Sequence, residues 1–169
     1  MKIIALVLMA CLAFSCVGCT GSGVMNMSSP EIQLAGYGTA YVGTLTATTL
    51  LIKDSKITKE DARSVAVVLA SIATPLSQLD ANQGVYVSVY PTAEKIIINK
   101  LTNPNQQSLA LAAIGVGLRM TDQMIKTYPQ IATKKEEWVP FIHKVVNGLV
   151  VGILDAIDEP ADSTLRQGL

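Results

Sequence analysis

Three cysteines, Cys11, Cys16 and Cys19, carry the most distinctive chemistry in this sequence, and all of them lie near its start. The 150 residues that follow Cys19 (169 minus 19) contain no cysteine. A thiol can form a disulfide, bind a metal ion or be acylated. Because the body of the chain has no thiol, it can hold neither a disulfide framework nor a thiolate metal site. The cysteines therefore direct attention to modification of the leader itself.

The leader has the three parts of an export signal. One lysine and the amino terminus precede an uncharged apolar run, residues 3–14, which is followed by the small residues Ser15 and Gly18 and then by polar residues 20–23. This order is typical of a secretory signal peptide. The apolar run is shorter than the roughly 20 residues that a membrane-spanning helix needs. We therefore predict that the leader directs export and does not span a membrane.

Val17-Gly18-Cys19 resembles the end of a bacterial lipoprotein signal, in which small residues precede the cysteine that becomes the mature N-terminus. The residue at position −3 is Cys16, where the family usually has an aliphatic side chain. Cys16 has the bulky Phe14 at position −2, and Cys11 leaves too short an apolar run, so Cys19 ranks first as the lipid attachment site. An ordinary secretory peptide cleaved near 18–23 is the alternative.

The resemblance implies a destination. Several acyl chains on one cysteine give stable membrane anchoring, whereas a single chain binds bilayers only marginally. Thr20 follows Cys19 in place of the aspartate that favours inner-membrane retention, so we expect an outer-membrane protein that faces the periplasm. Residues 1–18 are then the signal peptide, and 19–30 form a lipidated cysteine and flexible tether with a reach of roughly 15–20 Å.

The composition of the remaining chain predicts one all-α domain. Without Lys2 the chain has 12 basic and 13 acidic residues, a net charge of −1, so no basic surface for nucleic acid is expected. A body of this length can bury one core, which must be aliphatic because aromatic residues make up only 5% of the sequence. We predict a bundle of about four to five helices over residues 31–160 and a polar tail over 161–169.

Three helix starts are predicted from capping residues. They are Thr58 with Asp61, Asn103 with Pro104 and Gln106, and Thr133 with Glu136. Apolar residues then recur at three- and four-residue steps, which predicts the inward faces. The predicted faces are Val65, Val68, Leu69, Ile72, Leu76 and Leu79; Leu111, Ile114, Leu118 and Ile125, widened by Leu109, Val116, Met120 and Met124; and Ile142, Val145, Val146, Leu149, Val150, Ile153, Leu154 and Ile157.

Two segments give weaker patterns. Residues 32–52 have no charge, and a stripe of Leu34, Tyr37, Tyr41, Leu45, Thr48 and Ile52 favours a bundle helix that forms an antiparallel hairpin with the next helix. A strand and a membrane span are the alternatives for 32–52.

Residues 85–90 resemble a strand that Pro91 ends, so for 85–101 we favour an extended linker and then a short helix over a hairpin. Pro75 should kink or break its helix, and Pro140 should kink its own.

Few residues suggest a site. His143 is the only histidine, and neither a metal site nor a catalytic triad is indicated by its neighbours. Gly36-Tyr37-Gly38 lacks the third glycine of a dinucleotide-binding loop and favours helix packing. Asp54, Glu60 and Asp61 lack the spacing of a calcium loop. We expect no cofactor.

Tyr86 and Tyr90, on alternate positions of an extended run, are the candidate contacts for a protein partner, although packing over the bundle is the simpler interpretation.

The layout also resembles small helical lipoproteins of phages and prophages: a lipoprotein leader, an uncharged first helix, a polar turn and a Lys-Ile-Thr-x-Glu-Asp-Ala helix start at 56–62. The resemblance implies a non-enzymatic, membrane-tethered interaction protein with an envelope protein as partner, and one implied role is exclusion of a second phage. An envelope structural lipoprotein, a membrane-active lysis protein and a hydrolase with a concealed site are the rival hypotheses.

Overall fold

The computed structural model describes residues 29–77, 85–127 and 135–160, and these ranges contain five helices and no strand. The helices are α1 (Ser29–Lys53), α2 (Lys59–Ser77), α3 (Val85–Lys100), α4 (Pro104–Thr127) and α5 (Lys135–Ala156). This confirms the prediction of a small all-α bundle. The predictions for Cys19, the leader, most of the tether, the Thr133 cap and the tail concern residues outside the described ranges.

Helix α5 lies at the centre of the bundle. It packs most extensively against α1, and it also contacts α2 and α4, while α3 packs against α4 and α2. All eight residues of the apolar stripe predicted for this helix are buried, as is Phe141 at its N-terminal end. The inward residues of α2 that can be assessed, Val65, Val68, Leu69 and Ile72, are buried too, and the prediction for both helices is confirmed at these positions.

Helices α1 and α5 approach each other through small residues. The buried line of α1 is Ile32, Gly36, Ala40, Thr44 and Thr48, at steps of four residues. A Cβ atom on Gly148 of α5 would collide with the carbonyl oxygen of Tyr37, and one on Gly152 with that of Tyr41. Glycine at these two positions thus sets the short distance between the helix axes.

The stripe predicted for α1 is largely wrong. Leu34 is 68% exposed, and Tyr37, Tyr41 and Leu45 are only partly buried. The prediction placed the large apolar side chains of α1 on its inward face. The observed contact between α1 and α5 is so close that mostly small side chains fit between the two helices. Of the predicted stripe, Thr48 alone is fully buried, and Ile52 packs at the edge of the core.

The start of α2 forms as predicted, and the start of α4 forms in part. Thr58 Oγ1 accepts a hydrogen bond from the Asp61 backbone N–H at 3.0 Å, and Asp61 Oδ2 accepts one from the Thr58 N–H at 2.9 Å. At the start of α4 the Asn103 side chain accepts a hydrogen bond from the Asn105 N–H at 2.9 Å. Gln106 does not complete a capping box there, since its amide donates to Asp61 Oδ1 at 2.7 Å instead.

The predicted hairpin between α1 and α2 does not form an extensive helix pair. The two helices have few contacts with each other, and each packs on α5 instead. The connecting turn holds Ser55 at φ 53°, and the Lys56 N–H donates to the Leu51 carbonyl at 2.9 Å. A left-handed residue and this bond are typical of a Schellman cap, which ends α1 abruptly and lets the chain turn away.

The same cap ends α5. Asp158 has φ 58°, and the Glu159 N–H donates to the Leu154 carbonyl at 2.9 Å. Ion pairs from Lys59 to Asp158 (2.8 Å) and from Arg63 to Glu159 (3.3 Å) hold this turn against the beginning of α2. The end of α5 is therefore fixed next to the start of α2.

Helix α3 corrects the prediction for 85–101. Residues 85–90 belong to one continuous helix with Pro91 inside it, in place of an extended linker. Val89, Ala93 and Ile97, four residues apart, are buried, so tertiary packing overrides the strand preference of the valines and tyrosines. Pro75 and Pro140 also lie inside helices, α2 and α5, which continue past them.

Candidate interaction surface

Tyr86 and Tyr90 lie on one face of helix α3, where they are partly buried against the core. Their rings stack with centroids 4.9 Å apart and planes inclined by 19°. The Arg119 guanidinium of α4 lies 4.9 Å from the Tyr86 ring centroid, within cation–π range. The predicted alternation along an extended run is therefore wrong, and the pair joins α3 to α4.

Two further contacts fix this tyrosine pair. The Tyr86 backbone N–H donates to Asp122 Oδ2 at 3.1 Å, which satisfies a free donor in the first turn of α3. A Cβ on Gly115 would lie 3.3 Å from the Tyr90 ring, so this glycine makes room for the ring. Burial raises the pKa of the Tyr90 phenol, and the neighbouring Tyr86 and Glu94 raise it further. These contacts favour the packing interpretation, while a role in binding a partner stays a prediction.

Asp61 is a carboxylate that accepts several hydrogen bonds. It accepts hydrogen bonds from the Thr58 backbone, the Thr58 hydroxyl, Gln106 and Asn103. The bonds from Thr58 lower the pKa of the Asp61 carboxyl most, and the Gln106 amide contributes further. All four donors come from the starts of α2 and α4, so this polar cluster has a structural explanation.

The remaining sequence candidates lie apart from one another. His143 is partly exposed on α5. In the Gly36-Tyr37-Gly38 fragment, a Cβ on Gly36 would lie 2.7 Å from the Phe141 ring, whereas Gly38 has open space beside it. The packing interpretation thus holds for Gly36 and not for Gly38. Within the described ranges, no three His, Cys, Asp or Glu side chains are grouped so that they could hold a metal ion.

The outward side of α1 is the most unusual surface in the described part of the chain. We call it the α1 outer face and define it by Leu34, Gly38, Val42, Thr46, Thr49 and Leu50. Leu34, Val42 and Leu50 are 68%, 41% and 38% exposed, and residues 32–52 include no charge. A helix on the surface of a bundle normally presents charged residues to water. The sequence showed the missing charges, but the inward face was assigned to the wrong residues, so this surface was missed.

An open groove adjoins the N-terminal end of this face. Gln33, Leu34, Tyr37 and Lys144 line it, and its volume is about 390 Å³. The groove is open to solvent and mostly apolar. It extends the α1 outer face toward α5 and does not bring together a nucleophile and a base.

The segment of the described helices that is long and apolar enough to cross a membrane is Val139–Ala156 in α5. Just over half of this segment is buried inside the bundle, as expected for a core helix. Residues 32–52, the segment considered as a span from the sequence, do not qualify among the described helices. Glycine and threonine lower the hydropathy of α1 even though it has no charge in this stretch.

In comparisons with known proteins, no family model, curated protein or solved structure matches the chain. The function must therefore be argued from the residues and surfaces described above.

Proposed function

We propose that this protein is an exported lipoprotein, anchored to the bacterial envelope through Cys19, whose helical body is a non-enzymatic module for protein interaction. The α1 outer face is the observation that carries the interaction role, because exposed Leu34, Val42 and Leu50 lie on an uncharged stretch. Contiguous exposed apolar surface is typical of sites where proteins meet, and an uncharged helix face with exposed aliphatic residues is a candidate for such a site.

The leader supports the anchor. The apolar run at 3–14 and the Val17-Gly18-Cys19 sequence resemble a lipoprotein signal, and residues 20–28 connect the proposed anchor to the start of α1 at Ser29. A connection this short holds α1 near the bilayer, where one envelope partner and other anchored copies are within reach. Exclusion of a second phage, by obstruction of its receptor or DNA-entry channel, is a concrete role for such a module.

Metabolic labelling with an acyl-chain precursor tests the anchor. The wild-type chain should incorporate label and sediment with membranes, and Cys19→Ala should lose the label and stay unprocessed. Cys16→Ala is the matched control, because it changes a neighbouring thiol and should keep the label. Loss of label in Cys16→Ala with retention in Cys19→Ala would show that the assigned attachment site is wrong, and retention in both would reject Cys19 as the sole attachment site.

The alternative of a membrane-active lysis protein depends on α5, since Val139–Ala156 is the described segment suited to a span. To insert, α5 would have to leave α1, α2 and α4 and expose a core that includes Leu149, Val150 and Ile153. The loss of that burial favours the interaction module over the lysis protein.

A further inference from the structure

We infer that residues 85–90, the first part of α3, form an arm that detaches from α4 and unwinds about a hinge at Pro91 while the rest of the bundle stays folded. We call residues 85–90 the α3 arm. The inference goes beyond the proposed function, because it depends neither on the anchor at Cys19 nor on the α1 outer face.

The sequence of the α3 arm is poorly suited to a helix. It is Val-Tyr-Val-Ser-Val-Tyr, so five of its six residues are β-branched or aromatic. Residues of these types favour strands and are weak helix formers. Tyr90 also precedes a proline, whose ring disfavours the helical conformation of the residue before it. Without contacts from other helices, the arm is therefore expected to unwind.

Pro91 weakens the connection between the arm and the rest of α3. Proline has no N–H, so the Val87 carbonyl lacks the donor that residue 91 supplies in a regular helix. The N–H groups in the first turn of a helix also have no acceptor within that helix. The α3 arm therefore has fewer helical hydrogen bonds than a segment of the same length inside a helix.

Contacts with α4 hold the α3 arm in place. The Tyr86 N–H donates to Asp122 Oδ2 at 3.1 Å, and the Arg119 guanidinium lies 4.9 Å from the centroid of the Tyr86 ring. Gly115 leaves room for the Tyr90 ring. Two of these α4 residues are charged and the third has no side chain, so all three tolerate contact with water once the arm has left.

Opening of the arm would leave the centre of the bundle intact. Helix α3 packs against α4 and α2 and has few contacts with the central helix α5. Among the assessable residues of the arm, Val89 alone is fully buried, whereas Ala93 and Ile97 beyond the hinge keep the rest of α3 in the core. In an extended arm Tyr86 and Tyr90 lie on the same side of the chain, which makes both rings accessible to a partner.

Thiol labelling of the full-length chain tests the opening. Val89→Cys and Ile97→Cys are matched, because both side chains are fully buried in α3 and they lie on opposite sides of Pro91. A maleimide should modify Val89→Cys roughly tenfold faster than Ile97→Cys or more, since a local opening needs less free energy than global unfolding. Mass spectrometry of peptides separates these sites from the leader cysteines.

Low concentrations of urea distinguish a local opening from global unfolding. The labelling rate at Val89→Cys should change little, because opening of the arm exposes little surface, whereas the rate at Ile97→Cys should rise steeply. A urea dependence at Val89→Cys as steep as at Ile97→Cys would show that the arm opens only when the whole bundle unfolds.

Substitutions in the Val89→Cys background test the hinge and the contacts. Pro91→Ala restores the missing N–H and should slow labelling severalfold. Arg119→Ala removes a contact with the arm and should accelerate labelling severalfold. Gln123→Ala is the matched control, because it changes an exposed side chain on the same helix and should leave the rate unchanged. An unchanged rate in Pro91→Ala would reject the hinge.

Hydrogen exchange of the unsubstituted chain is the second measurement, because Val89→Cys could itself loosen the arm. The amides of residues 88–90 should exchange roughly tenfold faster than those of 96–98 or more, after correction for intrinsic rates. Slow exchange at 88–90 together with fast labelling would mean that the arm moves as an intact helix, which rejects unwinding. Equal labelling and equal exchange on the two sides of Pro91 would reject the arm altogether.

Discussion

Three threonine side chains are buried in the bundle, and their hydroxyl groups differ in one respect. Thr44 Oγ1 donates to the Ala40 carbonyl and Thr121 Oγ1 to the Gly117 carbonyl, both at 2.9 Å. Thr48 Oγ1 is fully buried and has no hydrogen-bond partner among the described residues. A buried hydroxyl without a partner loses its bonds to water and costs about 1–3 kcal/mol. Thr48 is thus a weak position in the contact between α1 and α5.

Thr48→Val should stabilise the protein by about 1 kcal/mol, because it replaces the unpaired hydroxyl with a methyl group of similar size. In a chain of this length, that corresponds to an unfolding midpoint raised by about 2–4 °C in a thermal melt. Thr44→Val is the control, since it removes a hydroxyl that has a partner and should lower the midpoint. Equal losses in the two variants would show that Thr48 is satisfied by an interaction such as a buried water.

At the scale of single helices, the sequence predicted those with a clear contrast between apolar and polar faces. The spacing of apolar residues predicted the buried face of α5 and the assessable part of that of α2. The capping residues Thr58 and Asn103 predicted where α2 and α4 begin. The face of α1 was not predictable from large apolar residues, because close packing selects Gly36, Ala40 and Thr44. Helix α3 was not predictable from local preference, because contact with α4 decides its conformation.

The same reasons apply to the candidate surface. Tyr86 and Tyr90 were identified as a pair, but their contact with Arg119 depends on α3 being a helix next to α4. The α1 outer face depends on which side of α1 meets α5, which the sequence assigned incorrectly. The uncharged stretch at 32–52 was visible in the sequence, but which of its residues stay exposed was not.

Gly152→Ala should destabilise the bundle by about 1–3 kcal/mol or more, since the added methyl group collides with Thr44 and with the Tyr41 backbone. Gly43→Ala is the matched control on α1, because a Cβ there has open space. The control should be stabilising by about 0.5–1 kcal/mol, the usual gain of alanine over glycine inside a helix. Urea unfolding monitored by circular dichroism measures both. A harmless Gly152→Ala would mean that α1 and α5 can separate at little cost.

At the scale of the whole molecule, the polar cluster around Asp61 connects parts of the chain that are far apart in sequence. Asp61 joins the start of α2 to Asn103 and Gln106 at the start of α4, and the Asn105 side chain donates to the Lys56 carbonyl at 3.1 Å. The cluster fixes the same ends of two helices to the turn after α1. Its central group is a carboxylate, so the connection depends on pH.

The pKa of Asp61 is lowered in the folded protein, chiefly by hydrogen bonds from Thr58, so its contribution to stability is present above the ordinary aspartate value of 3.8. That contribution is lost as pH falls through the lower pKa of the folded state. Asp61→Asn should therefore be less stable at neutral pH and should lose less stability on acidification, as measured by melts across the acidic range.

Glu60→Gln, on the neighbouring exposed carboxylate, is the control for that experiment and should leave the acid response of the wild-type chain nearly intact. An Asp61→Asn protein that loses stability in acid as steeply as the wild type would show that other carboxylates dominate the response.

The central position of α5 has a consequence for the order in which the fold can form. Helix α1 packs mainly on a helix that begins at Lys135, about 80 residues after α1 ends at Lys53. At the usual rate of synthesis this interval corresponds to roughly 4–16 s. Until α5 emerges, α1 has neither its main partner nor a charged face, and the other helices lack a common centre. A chain delivered from its N-terminus therefore cannot complete the bundle until α5 arrives, although α2, α3 and α4 can already pack against one another.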